Sequence, residues 1–243
     1  MIGHVFSQTF RLFFARFHRY ALLAAALNLP DLALNFYIQP ALLEMSRNGP
    51  VPSGQLGRYF ALIGVSLLVT IVVSTYCQAV LCFGAWHELR GRSIGFRAML
   101  GRGLSRWLVA IAFTLVLYAL VVIGAVFLVF PAIIFMVMTF VGLPACVIEH
   151  GGPFRGLTRS IDLTEGYRWK VFVILLAVLV ATVGGAFAAQ TLLGRATVAF
   201  LIVQFIWQSL AIALGAILSV ATYLNLRIAK EGGDIERFAA VFD

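Results

Sequence analysis

Few residues of this chain have the type and spacing to do chemistry. Two acid–histidine pairs, His87–Glu88 and Glu149–His150, and one intramembrane polar group, Asn28, Asp31 and Asn35, are the candidates. A metal centre needs His, Cys or carboxylates converging on one point. Neighbouring residues of a helix point different ways, so neither pair is a chelate by itself. Cys77 and Cys82 are five apart and do not share a helix face, and Cys146 stands alone, so the cysteines read as small apolar packing residues. There is no G-x-S-x-G, no P-loop, no H-E-x-x-H and no dinucleotide fingerprint, and nothing orders the Ser, His and Asp present into a triad. The sequence therefore predicts no catalytic residue, no metal and no cofactor.

The polar group has two readings. Asn28, Asp31 and Asn35 stand at i, i+3 and i+7 in an apolar run, with Pro30 among them. A charge in a membrane span costs about 2.5 kcal/mol or more, so Asp31 is a candidate for a solute pathway in a transporter or channel. Gln78, Gln190, Gln204 and Gln208 could line the same route, or serve as interhelical hydrogen bonds, with Gly184 and Gly185 for close packing. The other reading of Asp31 is local: Asn28-Leu29-Pro30-Asp31 breaks one helix, and Asp31 caps the next near the outer interface. Proline is the usual cause of such breaks, and this is the reading we take.

The elements that must position these residues are membrane helices. Of 243 residues 62% are hydrophobic and 12% charged, with a mean hydropathy of +0.99. A soluble domain carries about 25% charged residues, and this chain has too little polar surface to cover a globule in water. The expected fold class is all-α, a polytopic integral membrane protein in one domain. Apolar runs place six transmembrane spans at about 20–39, 60–86, 107–129, 132–148, 169–193 and 197–224. Residues 40–59 read as a polar loop, Phe130–Pro131 as a tight break, and 225–243 as a charged tail.

Three amphipathic segments lie between or before the spans. In 4–19, Phe6, Phe10, Phe13, Phe14 and Phe17 form one helical face, which either lies in the headgroup plane or packs on the protein. In 92–106 an apolar face is weakened by glycines. In 153–165, Pro153 opens a helix, Phe154, Leu157 and Ile161 line it, and Gly166 stops it. Arg159 and Asp162 are an i, i+3 pair there, expected to bond to each other or to loop backbone.

The net charge is +8, and 16 of the 18 basic residues are Arg. Basic residues flanking spans mark cytoplasmic loops and attract anionic headgroups. No compact basic fold exists to carry nucleic acid, which is not an expected partner. With both ends cytoplasmic, 15 Lys and Arg fall inside and only Arg47, Arg58 and Arg195 outside. Phe10–Arg11, Phe96–Arg97 and Phe154–Arg155 open the three segments, and Arg19–Tyr20, Arg106–Trp107 and Arg168–Trp169 close them. An interfacial helix followed by two spans is thus repeated three times, either by true internal repetition or by interface preference alone.

The stretch from Pro144 to Trp169 resembles a bacterial family: the membrane domain attached to some glycerophosphoryl diester phosphodiesterases, and related stand-alone proteins. The matching residues are Pro144, Glu149, Gly152–Pro153, Arg159–Ser160, Leu163–Thr164, Gly166 and Trp169. Tyr223, Leu226–Arg227, Lys230–Glu231–Gly232 and Asp234–Ile235 are similar to the family's end, and the phenylalanine helix leading to Leu29–Pro30 to its start. The resemblance implies a membrane fold in the bacterial inner membrane. It does not imply the phosphodiesterase reaction, which belongs to a separate soluble barrel without a counterpart here. The expectation is a non-catalytic membrane scaffold or accessory module that contacts membrane lipids and a protein partner or a second copy. Glu149, Arg159, Asp162, Gly166 and Trp169 are its structural or interaction candidates.

Overall fold

A computed structural model describes residues 2–47, 56–127, 129–149, 151–194 and 197–242, with side chains described to residue 40 in the first of these, from 130 in the third and to 232 in the last. His150 and Arg195, named above, lie outside the described residues. Among the described residues the chain is all-α. The helices are α1 (Ile2–Ala15), α2 (Phe17–Arg47), α3 (Leu56–Leu89), α4 (Phe96–Phe127), α5 (Val129–Thr139), α6 (Gly142–Ile148), α7 (Pro153–Thr164), α8 (Arg168–Leu193) and α9 (Val198–Phe242). Six stretches are long and apolar enough to cross a membrane: Phe17–Pro40, Leu56–Leu89, Phe96–Phe127, Phe130–Ile148, Arg168–Leu193 and Val198–Gly232.

α9 is the hub. It packs on α1, α2, α3, α6, α7 and α8. The core lies toward one end of the bundle. In α3 the buried residues run from Thr75 to Trp86, while Phe60, Ile63, Val65 and Leu67 in its first half are exposed. The same asymmetry holds in α4, buried at Met99 and Phe113 and exposed at Val122, Val126 and Phe127. The packed end is the Arg-rich end; apolar surface at the other end faces outward, as lipid-facing surface does.

Four sequence expectations are corrected. First, Pro30 does not break the chain, because α2 continues through both Pro30 and Pro40. Asp31 is therefore a mid-helix residue and caps nothing. Second, the described parts of the loop expected at 40–59 are helical, since α2 extends to Arg47 and α3 starts at Leu56. Third, the segment at 92–106 is not a separate surface helix. From Phe96 it is continuous with the span, and Gly103 is there for packing: a Cβ on it would lie 2.2 Å from a Val80 methyl. Fourth, the span expected at 132–148 is two helices. Pro144 has no N–H, and its ring would clash with the carbonyl of residue 140 in a continuous helix. The chain turns at Phe140 and Val141, and Pro144 falls in the first turn of α6, where its missing N–H costs nothing.

α1 also divides its phenylalanines. Val5, Thr9 and Phe13 are buried against the protein, whereas Phe10 and Phe14 are exposed and stack with Phe6 in a row. α1 is held on α9 by Asn225, whose Nδ2 donates to Gln8 Oε1 at 2.9 Å and whose Oδ1 lies 3.1 Å from His4 Nδ1.

Candidate functional site

The break between α5 and α6 leaves the last carbonyls of α5 without intrahelical donors. α7 fills that need. Ser160, fully buried, donates from its Oγ to the Met138 carbonyl at 2.7 Å. Gly142 and Gly156 let α6 and α7 cross closely: a Cβ on Gly156 would lie 2.0 Å from Cys146 Sγ and 3.2 Å from the Gly142 carbonyl oxygen. Leu163 and Thr164 complete the buried face of α7, with Thr164 Oγ1 donating to the Ser160 carbonyl at 2.9 Å. Glu165 closes the last turn, its backbone N–H donating to the Ile161 carbonyl at 3.1 Å, and Gly166 at φ +80° reverses the chain into α8, a left-handed conformation that favours glycine.

On the other side of α7 is an ionic cluster. Arg159 donates from Nε to Glu149 Oε1 at 3.0 Å and from Nη2 to Glu231 Oε1. Arg227 donates from Nε to the second oxygen of Glu231 at 2.6 Å. Tyr223 donates its hydroxyl to Glu149, and Lys230 donates to the Asp162 carbonyl. Burial works against the charge of Arg159, but its bonds to Glu231 and Glu149 outweigh this and raise its pKa above the ordinary arginine value. Arg159 is therefore a fixed cation.

The expected Arg159–Asp162 pairing does not form. Although the two are three residues apart on α7, α9 offers Arg159 a carboxylate in Glu231 that the sequence separation hides. Asp162 is exposed and takes part through its backbone carbonyl. Trp169 is 75% exposed, stacked on Phe172 with ring centroids 5.2 Å apart. Phe154 is 69% exposed, and Arg155, Arg168 and Lys170 are exposed beside them in the chain.

A second, smaller cluster uses the same residue types. Arg19 donates to Glu88 Oε1 at 2.7 Å and to the Ile94 carbonyl at 2.7 Å, and Tyr20 donates to Glu88 Oε2 at 3.0 Å. Trp86, two residues before Glu88 on α3, packs on the first cluster, its ring 5.7 Å from that of Tyr223. Both clusters have a Glu that accepts from one Tyr and one Arg, Glu149 from Tyr223 and Arg159 and Glu88 from Tyr20 and Arg19. His87 stays apart, with its Nδ1 at 3.1 Å from the Phe83 carbonyl of its own helix. Among the described residues no three His, Cys, Asp or Glu side chains converge as a metal site would require.

Asn28, Asp31 and Asn35 are brought together differently. Asp31 is 6% exposed and both carboxylate oxygens are bonded: Thr70 of α3 donates to Oδ1 at 2.5 Å, and Asn35 Nδ2 donates to Oδ2 at 3.1 Å. Asn28 Nδ2 donates to the Ala24 carbonyl at 2.7 Å and lies 3.4 Å from Cys77 Sγ. These bonds tie α2 to α3 and to itself, which is what buried polar groups in a span require. Sequence reasoning missed Thr70, and it singled out Ser160 and Tyr223 only by resemblance, without their partners. An isolated hydroxyl carries no periodic signal, and only the fold shows which carbonyl or carboxylate it meets. Compared with protein-family models, curated proteins and solved structures, the chain matches none.

Proposed function

We infer that the protein is a non-catalytic scaffold of the bacterial inner membrane, with both ends on the cytoplasmic side, whose Arg-rich end binds anionic lipid and docks a partner protein or a second copy. One observation carries this reading. The two stretches that resemble the phosphodiesterase-associated membrane domains, 144–169 and 223–235, meet in space: Glu149 with Tyr223, Arg159 with Glu231, and the Asp162 carbonyl with Lys230. Glu149, Arg159, Lys230 and Glu231 of those stretches are engaged in holding α7 to α9. The exposed Phe154, Arg155, Arg168, Trp169 and Lys170 are the outward surface of the same assembly. Aromatic and basic side chains side by side suit a headgroup layer, rings at the acyl boundary and cations at the phosphates.

Native mass spectrometry of the purified protein tests this. Wild type is expected to retain phosphatidylglycerol over phosphatidylcholine, and Arg155→Gln with Arg168→Gln and Lys170→Gln is expected to abolish the preference. Equal retention of both lipids by wild type, or an unchanged preference in the variant, refutes the lipid surface. Cross-linking from position 154 in cells tests the partner: no adduct with a protein or with a second copy refutes the docking role.

A further inference from the structure

The polarity left unexplained in the spans lies away from Asp31. Gln78 of α3, Thr182 of α8 and Gln204, Trp207 and Gln208 of α9 line a cavity of about 380 Å³. α3 and α8 both pack on α9, and the cavity lies between them. A second cavity, of about 320 Å³, shares Gln78 and Gly215 with the first and is lined by Ser74, Thr114, Thr139 and Ser219 on its polar side. These volumes are those of ligand pockets.

The lining states the chemistry of a guest. Among the described residues no Asp, Glu, Lys, Arg or His lines either cavity, so nothing there compensates a charge and an ionised headgroup is excluded. The indole N–H of Trp207 is already donated to the Thr182 carbonyl at 3.2 Å. The Gln204 side-chain oxygen is buried and has no hydrogen-bond donor among the described residues. A buried acceptor without a donor is costly, and a guest hydroxyl satisfies it. The remaining walls are apolar, with Val178 and Ile212 in one cavity and Leu117, Val121 and Phe140 in the other. Around them the surface of α8 and α9 is exposed and apolar at Leu179, Val183, Val203 and Ile206. A guest therefore enters from hydrocarbon.

We propose that this crevice binds an uncharged lipid with a free hydroxyl, of the diacylglycerol type. Its hydroxyl donates to Gln204 and accepts from Gln78, and its chains lie along the apolar walls.

Equilibrium binding of radiolabelled dioleoylglycerol to the protein in phosphatidylcholine nanodiscs tests the assignment. Saturable binding of one lipid per protein is expected. Gly215 lines both cavities, and a Cβ on it meets nothing within 4 Å. Gly215→Leu thus fills the crevice without displacing the backbone, and is expected to weaken binding by about 10-fold or more while leaving the melting temperature close to wild type. Gln204→Leu removes one hydrogen bond and is expected to weaken binding about 5–10-fold. It carries the test if Gly215→Leu fails to fold. Absence of saturable binding, equal affinity in wild type and Gln204→Leu, or competition by phosphatidic acid as strong as by unlabelled dioleoylglycerol each overturns the proposal.

Discussion

Arg159→Ala separates α7 from α9 at one atom group. Arg159, Glu149 and Glu231 side chains are 30%, 27% and 37% exposed, so water screens both ion pairs in part. A pair this exposed contributes about 1 kcal/mol at most. Truncating one partner of a fully buried pair costs about 3–5 kcal/mol, because it strands the other charge. That larger penalty does not apply here: Glu149 keeps Tyr223 and Glu231 keeps Arg227. The expected loss is therefore about 1–2 kcal/mol, or about 2–8 °C in the melting temperature of the detergent-solubilised protein. A double-mutant cycle with Glu231→Gln is expected to give a coupling of about 0.5–1 kcal/mol. Asp162→Ala, which removes an exposed side chain and leaves the carbonyl that Lys230 uses, is expected to stay within about 0.5 kcal/mol of wild type. A cycle with no coupling, or an Asp162→Ala loss equal to that of Arg159→Ala, refutes the clasp.

Other perturbations address the remaining joints. Gly166→Ala forces a side chain into φ +80°, with an expected cost of about 1–2 kcal/mol in thermal unfolding. Gly156→Leu drives a side chain into Cys146 and the Gly142 carbonyl, and limited proteolysis is expected to cut between 149 and 167 faster than in wild type. Asp31→Leu removes the acceptor of Thr70 and is expected to destabilise the protein by about 1–3 kcal/mol, and Thr70→Val to share most of that loss in a double-mutant cycle. The three native cysteines are buried, so a cysteine introduced at Gly91 is the reactive one. The proposed orientation, both ends cytoplasmic, predicts that it escapes a membrane-impermeant maleimide in intact spheroplasts and reacts once the membrane is opened.

Hydropathy made the six spans legible, because each needs a long apolar run and little else. The start of α7 at Pro153 and its stop at Gly166 were legible from residue types with fixed backbone roles. What the sequence hid was pairing across distance. Glu231 is 72 residues from Arg159, and no local rule links them, whereas Asp162 at i+3 offers a plausible partner that the packing bypasses. The pause at Phe140 was hidden inside an unbroken apolar run, where Pro144 was its one sign. Pro30 misled in the opposite direction: α2 runs on through it, with Asp31 and Asn35 bonded to each other one turn apart.

The position of α9 has a consequence for synthesis. It follows every other helix in chain order, yet it is the element on which six of them close. The bond between His4 and Asn225 spans 221 residues, which at a translation rate of about 5–20 residues per second separates the two by roughly 11–44 s. Through that interval the buried face of α1 has no α9 to close on, and Glu149, once made, has Arg159 but still lacks Tyr223. The nascent protein must be held in the bilayer as an open set of helices until the last one arrives, so its survival depends on how well lipid or an insertion factor covers those faces in the meantime.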